Sequence, residues 1–125
     1  MEEKCMVKKL TTFKIDEATW MKFEKKRYNS INLKEKYATM NKSRILNNLV
    51  KDYLAGKIVI DLATPEKYGD KVIQQAFHMD METFVAFEKK LMEEKLKHIN
   101  NIEAFYRIGT KNNAIIKLIK NYIKG

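Results

Sequence analysis

Residues 12–26, TFKIDEATWMKFEKK, are written a second time with changes at 76–90, AFHMDMETFVAFEKK. Aligned without gaps at an offset of 64, the two blocks share Phe13/Phe77, Asp16/Asp80, Thr19/Thr83, Phe23/Phe87, Glu24/Glu88, Lys25/Lys89 and Lys26/Lys90. A second pair, NKSRILNNLVKDYLAG at 41–56 and TKNNAIIKLIKNYIKG at 110–125, aligns at an offset of 69, with Lys42/Lys111, Leu49/Leu118, Lys51/Lys120, Tyr53/Tyr122 and Gly56/Gly125 identical. The chain is therefore two copies of one unit, and any fold it adopts has to place that unit twice. The change in offset puts five extra residues between the blocks of the second copy, where a loop or a helix end absorbs them.

The copies occupy residues 1–57 and 71–125, joined by a linker at 58–70 that holds the only proline, Pro65, and a glycine, Gly69. Units of this size are marginal alone, so the two are expected to share one core. The net charge is +9, and it lies on the repeats: residues 1–57 carry 14 basic and 7 acidic groups, 71–125 carry 10 and 6, and the linker carries 1 and 3. Such a balance suits an acidic partner, nucleic acid before membrane, although a lysine-rich solvated surface has the same composition.

Each unit parses as strand, helix, helix. Phe13 and Ile15 alternate with Thr12 and Lys14, and Phe77 and Met79 alternate with Ala76 and His78, the period of a short strand with one buried face. The alternation stops at Asp16 and Asp80, placed as N-caps of a first helix that carries Trp20, Phe23 and Tyr28 in one copy and Phe84, Phe87 and Leu91 in the other. The second helix shows the clearest apolar stripe: Ile45, Leu46, Leu49, Val50, Tyr53 and Leu54, repeated as Ala114, Ile115, Leu118, Ile119, Tyr122 and Ile123. Asn41 and Thr110 are candidate N-caps, and Gly56 stands where a helix C-terminus favours a residue tolerant of positive φ. A lone strand leaves its backbone groups unpaired, and duplication supplies the partner: the expected fold is mainly α, with a short two-stranded antiparallel β-ribbon over four helices.

Other chemistry finds little support. A single cysteine, Cys5, forms no disulfide within the chain and suits a reducing compartment. The opening MEEKCMVKKL lacks the apolar stretch of a signal peptide, and no apolar run approaches the roughly 20 residues that span a bilayer. A cytoplasmic protein away from membranes is expected. Two histidines, His78 and His98, with one cysteine do not make a zinc site, and RIGTK lacks phosphate-loop spacing. Carboxylates are scattered over helix faces, so neither an enzyme nor a cofactor is expected. His98 reads as surface.

The blocks KKLTTFKIDEATWMKFEKK and NKSRILNNLVKDYLAG, with IQQAFHMDMETFVAFEKK and TKNNAIIKLIKNYIKG, resemble the ribbon-helix-helix (Arc/MetJ/CopG) superfamily of DNA-binding proteins over somewhat more than half of the chain. The resemblance implies a tandem ribbon-helix-helix pseudodimer: two units paired in one chain, a ribbon entering the DNA major groove, and the second helices pointing their N-termini at phosphates. The sequence departs from that pattern between the helices. Asp16 to Asn41 and Asp80 to Thr110 are wide, so the first helix is lengthened or a helical segment is inserted. The segments YNSINLKEKYAT and KHINNIEAFYRIG either form a partner surface or cover the core.

Strand parity leaves Leu10, Thr12 and Lys14 outward on one strand, and Gln74, Ala76 and His78 on the other, as candidate base contacts; the bland reading is a solvated sheet face. Because the two sets differ, the site read would be an imperfect palindrome. Lys42, Ser43 and Arg44, with Thr110 and Lys111, fall at helix N-termini as candidate phosphate contacts, or as ordinary caps and surface charge. The expected function is sequence-specific binding of double-stranded DNA by a transcriptional repressor or a plasmid or phage maintenance factor, with further copies on adjacent half-sites as added partners. The rival is a helical protein-interaction module, antitoxin-like or a partition or conjugation adaptor, binding a protein through the inter-helix segments.

Overall fold

The structure, a computed structural model, describes residues 8–29, 42–62, 64, 68–107 and 111–124. Among them run β1 (Lys8–Asp16), α1 (Glu17–Asn29), α2 (Lys42–Leu54), β2 (Val72–Asp80), α3 (Met81–Leu96), α4 (Ile102–Arg107) and α5 (Lys111–Lys124). Cys5, Asn41, Pro65, Thr110 and residues 30–39 of the first inter-helix segment lie outside the described residues.

β1 and β2 pair antiparallel over their full lengths, from Lys8 opposite Asp80 to Asp16 opposite Val72. The middle pair is Thr12 opposite Ala76, the two residues that the 64-residue offset equates. Alternation buries Phe13, Ile15, Phe77 and Met79 on the underside, where Phe13 meets Phe77 and Trp20 edge-on at 6.0 and 5.9 Å between ring centroids.

The helices then close the core by exchanging partners between the repeats. α2 packs on β2 and α3, both from the second repeat, while α5 packs on β1 and α1 from the first. One cluster of buried side chains results, drawn from both repeats. Neither repeat could bury its own second-helix stripe without the other. The linker joins in: Leu62 is buried, and Ile58 and Ile60 pack beside it while Val59 faces outward.

Helix ends follow local chemistry. Asp16 caps α1: its carboxylate accepts from the Thr19 N–H at 3.1 Å and from the Thr19 hydroxyl at 2.8 Å. Asp80 does not repeat this, and its expected capping role is corrected. Its side chain caps nothing and instead meets Lys8 at 3.4 Å and Lys51 at 3.2 Å. The reason is the residue across the ribbon, Lys8 for Asp80 but Val72 for Asp16. Gly56, at φ +80°, ends α2. The Lys57 N–H reaches the Asp52 carbonyl at 2.8 Å and the Gly56 N–H reaches Tyr53 at 3.1 Å, which satisfies two of the last carbonyls of the helix.

Two further expectations need correcting. Tyr28 is exposed, not core: it lies five residues beyond Phe23, about 140° around the helix, whereas Leu91 lies four beyond Phe87 and returns to the buried face. His98 is half-buried on the wall of a cleft with Tyr53 and Glu94, since the residues after α3 fold back as turns. In the second copy α3 runs for 16 residues and a further helix, α4, precedes α5, whereas the matching stretch of the first copy lies outside the described residues. Among the described residues, no helix is long and apolar enough to cross a membrane.

Candidate nucleic-acid interface

Six side chains stand on the ribbon face turned away from the helices, in three cross-strand pairs: Leu10 with His78, Thr12 with Ala76, and Lys14 with Gln74. Ala76 is half-buried and the other five are exposed. The pairing gives the two ends different chemistry. One end presents an ammonium beside a carboxamide, the other an imidazole beside an isobutyl group, with a hydroxyl and two methyl groups at the centre.

The edges of a two-stranded ribbon expose backbone groups, and here the second helices take them up. At Lys14 the main-chain N–H and C=O point away from β2 and are both met by Asn112, which accepts at 2.6 Å and donates at 2.9 Å. At His78, the residue equated with Lys14, the work is shared. Ser43 Oγ accepts from the His78 N–H at 3.1 Å, and Asn47 Nδ2 donates to the His78 carbonyl at 2.5 Å. Asn47 also donates to Ser43 O at 2.8 Å and accepts from the Asp80 N–H at 3.3 Å, which satisfies a buried amide.

The 69-residue offset equates Ser43 with Asn112 and Asn47 with Ile116. In the second copy the longer Asn112 side chain replaces both polar groups, and its Nδ2 also reaches Tyr68 Oη at 2.8 Å. Ile116 is then free to be core, and it is buried. The result in both copies is the same: the first turn of the second helix is tied to the edge of the opposite strand, beside an outward-facing Lys14 or His78.

Cations gather at these first turns. Lys42 donates to Gln75 Oε1 at 3.4 Å and lies 6.0 Å from the Trp20 ring centroid. Lys111 lies 4.8 Å from the Phe84 centroid, the equated arrangement, but pairs with Glu88 at 2.7 Å. Packing on the aromatic ring steadies each ammonium. Arg44 is exposed and Ser43 half-buried, and Thr110 is not among the described residues. The hydrogen bond from Lys51, seconded by Lys8, holds the Asp80 carboxyl below the usual carboxylate range, so an anion stays at one end of the ribbon.

Comparison with known families, curated proteins and solved structures gave no match. What this surface can do therefore rests on its own geometry. It offers a narrow ribbon with outward hydrogen-bonding groups, flanked on both sides by helix N-termini carrying lysines.

Asn112, Asn47 and Tyr68 were not candidates from the sequence. Asn47 left one legible signal, a carboxamide inside a stripe formed by Ile45, Leu46, Leu49 and Val50. Asn112 left none, because a polar residue in a first helical turn is what capping alone would predict.

Proposed function

We propose that the chain is a single-chain tandem ribbon-helix-helix protein that binds duplex DNA sequence-specifically, laying its β-ribbon in the major groove. The observation that carries this reading is the register. Thr12 opposite Ala76 sets equated residues across a local two-fold axis, so Lys14 and His78, and the helix starts tied to them, take related positions at the two ends of the ribbon. A duplex has a local two-fold axis of its own, and the two frames can coincide.

Outward side chains would read base edges, Lys14 donating to guanine acceptors and Gln74 suiting adenine. Lys42, Arg44 and Lys111, with the free N–H groups of α2 and α5, would hold phosphates and fix the register. Most of the affinity would then be electrostatic and fall steeply with salt. Regulation of transcription, or maintenance of a plasmid or phage, is the setting that suits such a binder.

The interaction-module reading draws support from one feature, the exposed Ile102 and Tyr106 of α4 in the inserted segment. Titrating Lys14→Ala and Lys42→Ala against a preferred and a random duplex over a salt series separates the two. DNA reading predicts that Lys14→Ala loses preference, by about 1–3 kcal/mol of discrimination, while Lys42→Ala weakens both duplexes alike and flattens the salt slope by about one. Unchanged binding in both variants would favour the protein-interaction module.

A further inference from the structure

Beyond Gly56 the linker turns back over the core, and its residues Ile58, Ile60 and Leu62, with Tyr53 and the far end of α3, enclose a cleft of about 360 Å³. That is the size of a small-molecule site. Within it the Lys90 ammonium lies over the Tyr53 ring, 5.2 Å from the centroid, as Lys26 lies over the equated Tyr122 at 5.0 Å. The lysine and tyrosine pair therefore belongs to both repeats, whereas the linker that walls the cleft occurs once in the chain. The cleft is also separate from the ribbon surface. Tyr53 stands ten residues beyond Ser43, about 15 Å along the helix axis.

Three donors in this cleft are unused. Tyr53 is only 5% exposed, yet its hydroxyl makes no hydrogen bond among the described residues, where every polar side-chain atom shut off from solvent has a partner. The hydroxyl therefore opens on the cleft, and burial, with Glu94 second, keeps it protonated as a donor. Lys90 forms no ion pair and the His98 ring no hydrogen bond among the described residues, and both are half-buried. Of the two carboxylates, Asp61 already accepts from the Thr64 hydroxyl at 2.6 Å. Glu94 stands one helical turn beyond Lys90 on the cleft wall, and its pairing with Lys97 at 3.1 Å is a surface contact that water weakens.

We propose that the cleft binds a free α-amino acid with an apolar side chain. The ligand carboxylate accepts from Lys90, the Tyr53 hydroxyl and His98, its ammonium donates to Glu94, and its side chain lies against Ile58, Ile60 and Leu62. A plain carboxylic acid would set its charge beside Glu94 with nothing to answer it, and an amine would do the same beside Lys90. A zwitterion answers both. It also adds no net charge to a cleft in which Lys90 and Lys97 already balance Glu94 and Asp61. This inference does not depend on DNA binding.

Calorimetric titration of the whole chain tests it, with leucine and phenylalanine as ligands, leucinamide as the analogue without a carboxylate and isocaproate as the analogue without an ammonium. Both amino acids should bind one to one and raise the thermal midpoint. Leucine should bind at least about ten-fold more tightly than either analogue, as loss of a charge-assisted hydrogen bond implies. Lys90→Met keeps the stem over the Tyr53 ring and should weaken leucine by about ten-fold. Glu94→Gln should weaken leucine yet tighten isocaproate, a reversal that loosened packing alone would not produce. Circular dichroism checks that both variants fold. Failure of both amino acids to bind at millimolar concentration would overturn the proposal. So would equal binding of leucine and its two analogues, or leucine binding that neither variant alters.

Discussion

Asn112 holds Lys14 by both main-chain groups, across 98 residues of sequence, and so ties the start of the last helix to the edge of the first strand. Replacing it by Ala removes these two hydrogen bonds and the one to Tyr68 Oη from a partly wet site and should cost about 1–2 kcal/mol. The loss should appear as a lower thermal midpoint together with weaker DNA binding. Asn112→Asp keeps an acceptor for the Lys14 N–H but turns an oxygen toward the Lys14 carbonyl where Nδ2 had donated, so it should not restore stability over Ala, and its carboxylate beside the proposed phosphate site should reduce DNA binding more than Ala does.

Glu88 neutralises Lys111, whereas the equated Lys42 meets the neutral Gln75 and the Trp20 ring. The account predicts unequal grip by the two halves. Glu88→Gln should raise affinity for every duplex, by roughly two- to five-fold for release of one partly exposed pair, and steepen the salt dependence. Binding titrations at two salt concentrations check both.

Asp80 contributes stability through its ion pairs with Lys51 and Lys8, and its pKa is depressed. The sign follows from linkage: the contribution is fully present above the unfolded carboxylate value of about 4 and fades as pH falls through the lower folded value. Urea unfolding at pH 7 should show Asp80→Asn less stable than the parent, by about 1 kcal/mol or less for pairs so open to water. The gap should narrow toward pH 3. Asp16→Asn should behave differently, since asparagine also caps a helix.

Tyr53 moves the other way. Burial first, and the nearby Glu94 second, push its phenol up to about 12. The folded state keeps the neutral phenol while the unfolded chain ionises near 10, so this contribution is intact below pH 10 and is lost as pH rises from there through 12. Tyr53→Phe should therefore narrow the fall in urea midpoint between pH 9 and pH 11 relative to the parent.

Much of the fold was legible because short-range patterns govern it. Alternation at Phe13 and Ile15 gave the strand face, the stripe from Ile45 to Tyr53 gave the helix, and Gly56 gave its end. What escaped depends on which residue lies across a gap in sequence. Asp16 and Asp80 are identical and similarly placed, yet one caps and the other pairs, because the ribbon sets Val72 or Lys8 opposite. Tyr28 was misplaced by a single residue of helical phase. The grip of Asn112 on Lys14 and of Asn47 on His78 depends on each second helix crossing to the other repeat's strand, which local periodicity does not encode. The exposure of Met21, Val85 and Met92 was hidden for a related reason: an apolar residue at helical spacing reads as core until packing shows which face is covered.

The most direct test is selection from randomised duplex DNA near physiological salt, with Lys14→Ala and His78→Ala run beside the parent. The account predicts an enriched, imperfectly two-fold motif whose one half degrades in Lys14→Ala and whose other half degrades in His78→Ala. An absence of enrichment, or a motif that both variants retain unchanged, would contradict the ribbon as the element that reads the sequence.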